Sequence, residues 1–265
     1  MMSELIAYLK TTFDGLGWLS NLFGIVLPLV AIPGMLYGLY RYLLPWVTGT
    51  STFEKLTGSL IKPKWKGKES IAGIAKVAIV DDSPTDFPVT QLQKAGYSVK
   101  TYKQVDLKDI GRLAEYDVLF LDIHGIVKDD IEEGGLKLLP KLRAANSRQK
   151  ICAVSSKKFD PTATAFFKQA DDVQGKPVNA QKCKDVIDVL ALEKLEPAQL
   201  SRQLDDGIKH LGVRTRRALI KQIREFSISK SPISDAPTKL CAIGKLDPAL
   251  SSVLTDYVRV LRKCN

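Results

Sequence analysis

Histidine is scarce in this chain. Its 265 residues hold only His124 and His210, beside four cysteines, Cys152, Cys183, Cys241 and Cys264. No two cysteines are spaced as CxxC and no Cys/His cluster occurs, so a zinc site of the usual ligand pattern is excluded. Cys152 lies inside the apolar run Ile151–Val154 and reads as a small core residue. All four read as reduced thiols of a cytosolic domain. Residues 196–265 carry no kinase, cyclase, phosphodiesterase or protease motif and no helix-turn-helix pattern.

Charge is missing altogether from Leu16 to Tyr40. At about 1.5 Å per residue, some 20 apolar residues span the roughly 30 Å hydrocarbon core of a bilayer. Trp18 stands near one end of the run, and Tyr40, Tyr42 and Trp46 near the other, where aromatic belts form. Pro28 and Pro33 are costly in a soluble helix but tolerated in a membrane one. The start carries Glu4, Lys10 and Asp14, not a basic cluster, and no small-residue cleavage site follows the run. Those absences argue against a secretory signal peptide and for a retained single transmembrane helix over about 16–40. Arg41, Lys55, Lys62, Lys64, Lys66 and Lys68 follow it and only Lys10 precedes it. The expected orientation therefore puts the C-terminal side in the cytoplasm, as a single-pass protein of a bacterial inner membrane. Gly34 and Gly38 form a GxxxG spacing, which leaves a homodimer open.

What the chain does have is the composition of a folded protein, 45% apolar and 26% charged, with a formal charge of +10. That excess points to an anionic partner, nucleic acid or an anionic membrane surface, or simply to solvated Lys/Arg faces. The sequence divides into an N-terminal segment with the span (1–47), a basic linker (48–73), an α/β unit (74–195) and a helical region (196–265). In the linker, Lys62, Lys64, Trp65, Lys66 and Lys68 form a polybasic stretch suited to an anionic leaflet.

From Ile74 onward, apolar runs alternate with helical patterns. Lys76–Val80, Asp117–Leu121 and Ile151–Val154 read as buried strands, Tyr97–Tyr102 as a more exposed one and Asp172–Gln174 as a brief one. Helices are predicted over Thr85–Ala95 (curtailed by Pro88), Leu107–Glu115, Gly135–Ala145, Thr162–Ala170 and Asn179–Leu195, the last with Val186, Ile187, Val189, Leu190 and Leu192 on or near its inner face. This alternation predicts a doubly wound α/β fold: a five-stranded parallel sheet in the flavodoxin-like order 2-1-3-4-5, covered on both faces. Ligands of such sheets bind at the carboxyl ends of the strands. There the sequence places the pair Asp81-Asp82, then Asp122, Ser155 and Lys176-Pro177. Three carboxylates, a hydroxyl and an ammonium in one crevice suit magnesium-dependent phosphoryl transfer. Each residue alone reads as readily as a helix cap, a turn residue or a surface lysine.

In the order and spacing of these four elements, residues 74–195 resemble the receiver domain of two-component response regulators. The resemblance implies that Asp122 is the phosphoacceptor. It implies that Asp81, Asp82 and Asp122 hold Mg, with the backbone carbonyl of His124 as a further ligand. Ser155 would contact the phosphoryl group and Lys176 would pair with its oxygens. The partner implied is a histidine kinase or phosphotransfer protein, and the enzymatic component is limited to self-phosphorylation and self-dephosphorylation. The chain departs from the family in three places. The segment after Asp122 is about five residues longer than usual and holds Lys128, Asp129, Asp130, Glu132 and Glu133. Pro88 shortens the first helix. Val173 stands where many receivers carry a switching aromatic. These departures keep open a receiver that is never phosphorylated and serves as a constitutive membrane-bound adaptor. A haloacid-dehalogenase-like phosphatase would want a DxD on its first strand, which Asp81-Asp82-Ser83 does not supply.

Residues 196–265 hold 13 Lys/Arg against 7 Asp/Glu. Helices are expected over Pro197–Leu211, Arg214–Phe226 and Pro248–Arg262, with Arg214, Arg216, Arg217, Lys221 and Arg224 as a basic segment. A membrane tether argues against nucleic acid as its target and favours docking to a protein or to the membrane surface.

Overall fold

The computed structural model describes residues 2–15, 32–38, 52–156, 161–229 and 247–264. Five strands form one parallel sheet: β1 (Lys76–Val80), β2 (Ser98–Tyr102), β3 (Val118–Asp122), β4 (Lys150–Ser155) and β5 (Asp172–Gly175), in the order β2-β1-β3-β4-β5. This is the expected topology. Side-chain alternation splits the central strands between two cores. Val77, Ile79, Val118, Phe120, Cys152 and Val154 point to one face. Ala78, Val80, Leu119, Leu121, Ile151 and Ala153 point to the other. The continuous apolar runs follow from this burial on both sides. Edge strand β2 is exposed at Ser98, Lys100 and Thr101, as its alternating sequence predicts.

The crossover helices fall close to their expected places. Pro88 pushes the first helix back to Val89–Lys94, behind a 3-10 turn over Pro84–Asp86. The segment expected as Leu107–Glu115 is a 3-10 turn followed by Ile110–Leu113. Ala180–Leu195 is capped by Asn179, whose side chain accepts from the Lys182 amide. Cys183, Val186, Ile187 and Leu190 of that helix are buried. Val189, expected on or near the inner face, is instead exposed, because it sits two residues beyond Ile187, about 200° around the helix.

The regions on either side of the sheet depart most from expectation. Residues 53–71, expected as a linker, form Phe53–Leu56, a π-helical turn over Thr57–Ile61 and Lys68–Ile71. Phe53, Ile61 and Ile71 are fully buried. They join one apolar cluster with the inner face of Ala180–Leu195 and the helices Pro197–Gly207, Val213–Ile228 and Pro248–Cys264. The lysines of the polybasic stretch stay outside while Trp65 packs against this cluster. At the centre is Tyr257, fully buried and edge-to-face with Phe53 at 5.4 Å. Its hydroxyl lies 3.0 Å from Thr57 Oγ1 and donates to the Phe53 carbonyl. Asp205 accepts from the Phe53 and Glu54 amides at 2.9 and 3.1 Å. A carboxylate from the C-terminal region thus caps a helix begun some 150 residues earlier.

Met2–Gly15 is an α-helix, and residues 32–38 are helical. No helix among the described residues is long and apolar enough to cross a membrane. Most of the expected span at 16–40 lies outside the described residues, as does Cys241.

Candidate functional site

The sheet brings the expected site residues to one rim. β1 runs into Asp81-Asp82, β3 ends in Asp122, β4 ends in Ser155, and Lys176 follows β5. Register pairs Val80 with Leu121, Asp122 with Val154 and Ser155 with Gly175. The Lys176 amide donates to the Ser155 carbonyl at 3.1 Å, and the Lys176–Pro177 bond is cis. Asp81 is fully buried, Asp122 and Ser155 are nearly so, and Asp82 is exposed. Oxygens of Asp81, Asp82 and Asp122 all lie within 4.8 Å of one another. Among the described residues no other group of three His, Cys, Asp or Glu does this.

The two buried carboxylates are fixed from the backbone. Asp81 Oδ1 accepts from the Ser83 amide at 2.8 Å and Asp122 Oδ1 from its neighbour Ile123 at 2.7 Å. Lys176 Nζ stands 2.6 Å from Asp81 Oδ2 and donates to Asp122 Oδ2. Burial raises the Asp81 carboxyl above its ordinary range, although Lys176 and the Ser83 amide oppose the rise. Burial pulls Lys176 down, but Asp122 and Asp81 outweigh it and raise the ammonium above its usual value. The lysine is therefore a fixed cation.

These residues fit magnesium. Asp81 Oδ2 is buried and accepts no backbone hydrogen bond; the group it faces is the Lys176 ammonium at 2.6 Å. Three carboxylates with one open to solvent match an ion that takes a few carboxylates and keeps its waters. Asp81, Asp82 and Asp122 would hold it, and it would neutralise charge on a transferring phosphoryl group.

The long segment after β3 is folded back on itself. The Gly125 amide donates to the Ile131 carbonyl at 2.7 Å, and His124 Nδ1 lies 2.5 Å from the Glu132 carbonyl. Val127 bridges to Val105 and to Asp130. Asp130 accepts from the Glu133 amide and pairs with Lys137. That acid serves the loop and not the metal triad. Gly135, in the first turn of the next helix (Gly134–Ala145), lies so close to β3 that a Cβ there would clash with the Asp122 carbonyl oxygen. A second charged site, at the opposite end of the sheet, had no place in the sequence reading. Asp117 is fully buried and accepts from the Lys76 amide (2.8 Å), Lys194 (2.7 Å) and both Arg259 terminal nitrogens (2.7 Å each). Asp256 ties Arg259 to Arg148 at 2.7 and 3.1 Å. The cavity of about 760 Å³ lined by Asn146, Arg148, Gln203 and His210 is also at that end, away from the triad.

No family model and no curated protein matches the chain. Solved receiver domains do. A beryllofluoride-activated DrrB receiver domain is 22% identical and covers 46% of this chain and 98% of its own, with a TM-score of 0.34. The receiver domain of a Francisella response regulator is 20% identical over 45% of this chain and 98% of its own, with a TM-score of 0.37. A Vibrio cholerae chemotaxis protein is 21% identical over 44% of this chain and 98% of its own, with a TM-score of 0.36. The fold assignment rests on the observed strand order.

Proposed function

We propose that this chain is a response-regulator-like switch that accepts a phosphoryl group on Asp122 in a magnesium-dependent reaction. The observation that carries the reading is the meeting of Asp81, Asp82 and Asp122 within 4.8 Å at the strand ends, with Lys176 paired to two of them. A carboxylate oxygen of Asp122 attacks the phosphorus of a phosphohistidine or a small acyl phosphate. A P–O bond to Asp122 forms as the bond to the donor nitrogen or oxygen breaks, and the donor leaves with the electron pair. Bound magnesium supplies charge neutralisation. Lys176 holds the incoming oxygens, and Ser155 contacts the transferred group. The His124 carbonyl would be a further ligand of the metal. The donor partner is a histidine kinase or phosphotransfer protein, and the output passes through a protein partner.

The switch is anchored to a membrane through residues 16–40. Support comes from the uncharged run, within which Ile32, Met35 and Leu36 are exposed, and from Met2, Leu5 and Ile6 ahead of it, which are exposed too. So many exposed large apolar side chains call for a non-aqueous neighbour. The full chain should stay in the membrane pellet after alkaline carbonate washing, and V26R with L29R should release it, at about 2.5–3.5 kcal/mol per arginine at mid-bilayer. Release of the unmutated chain would rule out the span.

The phosphoryl reading is tested on the full chain with acetyl phosphate or beryllofluoride, with and without magnesium. A magnesium-dependent mass increase that is lost in Asp122→Asn supports it. No increase in a folded protein leaves the constitutive adaptor as the reading.

A further inference from the structure

We propose that Gly125 is a positioning residue for the metal site, a glycine required because it leaves room for the Asp82 carboxylate. The inference rests on the metal-dependent reading above. Asp82 is the one exposed member of the triad. No hydrogen bond holding its carboxylate is seen among the described residues, so what sets its place is what it leans on. That neighbour is the Gly125 backbone. A Cβ at residue 125 would stand 2.9 Å from Asp82 Oδ2, 3.0 Å from its Cβ and 3.1 Å from its Cγ. The whole Asp82 side chain crosses this space, so rotating the carboxylate alone would not relieve the clash.

Gly125 cannot retreat. Its amide donates to the Ile131 carbonyl at 2.7 Å, and its carbonyl accepts from Gln104 Nε2 at 3.2 Å. The first bond ties it across the long loop and the second ties it to the residues after β2. Its φ of +74° lies in the left-handed region, where side chains other than Asn or Asp are strained. Two separable demands therefore fall on this residue: a backbone angle, and empty space beside Asp82. The space links the extra length of the loop to the metal. The fold of residues 123–133 presses Gly125 against Asp82 and so holds that carboxylate toward Asp81 and Asp122.

The test is a cycle of G125A, D82A and the double variant in the full chain, read by calorimetric titration with magnesium and by melting without metal. Alanine adds both the Cβ and the strain, whereas G125N adds the Cβ at an angle that asparagine tolerates. G125A and G125N should each weaken magnesium about tenfold, as expected when a ligand's support is lost. In the D82A background neither should change the affinity by more than about twofold, because the residue through which they act is gone. G125A should lower the metal-free melting temperature more than G125N in both backgrounds, because it alone adds the backbone strain, and both losses should be smaller with D82A, where the clash with the Asp82 carboxylate is gone. Unchanged affinity in both Gly125 variants, or an equal fold-loss with and without Asp82, overturns the proposal. An unmutated chain that binds no magnesium overturns the site reading itself, a result distinct from either.

Discussion

Asp117→Ala is expected to destabilise the protein by about 3–5 kcal/mol, the usual cost of breaking a buried ion pair by removing one partner. Asp117 is the shared acceptor of Lys194, of both Arg259 terminal nitrogens and of the Lys76 amide. Its loss strands the buried Lys194 ammonium, whose remaining carboxylate, Asp256, is 3.9 Å away. It also frees the Pro248–Cys264 helix from the start of β3, since Arg259 belongs to that helix. Urea unfolding followed by circular dichroism measures the loss. A change below about 1 kcal/mol, the scale of an exposed pair, would mean the cluster contributes no more than surface charges do. Replacing Asp117, Lys194 and Arg259 together by apolar residues should recover part of the loss, because no buried charge is then left alone.

The same cluster sets an acid limit. Burial alone would raise the Asp117 carboxyl, but Lys194 and Arg259 outweigh burial and lower it from 3.8 to about 2. A carboxylate depressed in the folded state contributes stability that is fully present above its unfolded value. That contribution is lost as pH falls through the folded one. The unmutated protein should therefore lose stability steeply between about pH 4 and pH 2, and Asp117→Ala should show less of that slope.

How much of this was legible in the sequence depended on the range of the interactions. The sheet order and the rim of acids were legible because each strand announces itself locally: an apolar run of four or five residues, then the polar residue at its end. Asp81, Asp122, Ser155 and Lys176 needed only strand ends and parallel topology to meet. In sequence Asp117 is simply the first residue of a strand, because nothing near it shows that Lys194 and Arg259 arrive from 77 and 142 residues away. Residues 53–71 read as a linker because Gly, Thr, Ser and Lys are interspersed through the segment. Its apolar residues, Phe53, Leu56, Ile61 and Ile71 among them, are buried by Ala180–Leu195 and by helices that come after residue 196. Gly125 is one of 18 glycines. Its requirement appears only once Asp82 stands beside it.

Lys176→Ala should separate the stability of the acidic rim from its chemistry. In the metal-free protein Lys176 is the cation facing both Asp81 and Asp122, and both its partners are buried. Without it, the fully buried Asp81 keeps only the Ser83 amide against desolvation. The variant should lose about 3–5 kcal/mol at neutral pH without magnesium. Burial already raises the Asp81 carboxyl, and losing the ammonium moves it further the same way. A carboxylate raised in the folded state favours the folded protein in its protonated form, so the deficit should shrink as pH falls through that raised value. Millimolar magnesium should also restore stability, and more to the variant than to the parent, because binding to the folded state alone adds RT ln(1 + [L]/Kd). The ion meets one less competing cation in the variant. Phosphoryl accumulation on Asp122 should still fall in the variant, since the metal replaces the charge of Lys176 but not its hydrogen bond to the transferred oxygens. Melting curves with and without magnesium, set beside intact mass after acetyl phosphate, read both effects on one sample. A variant that melts like the parent without metal would show that Lys176 does not neutralise the rim. A variant that is phosphorylated normally would show that it does not hold the phosphoryl group.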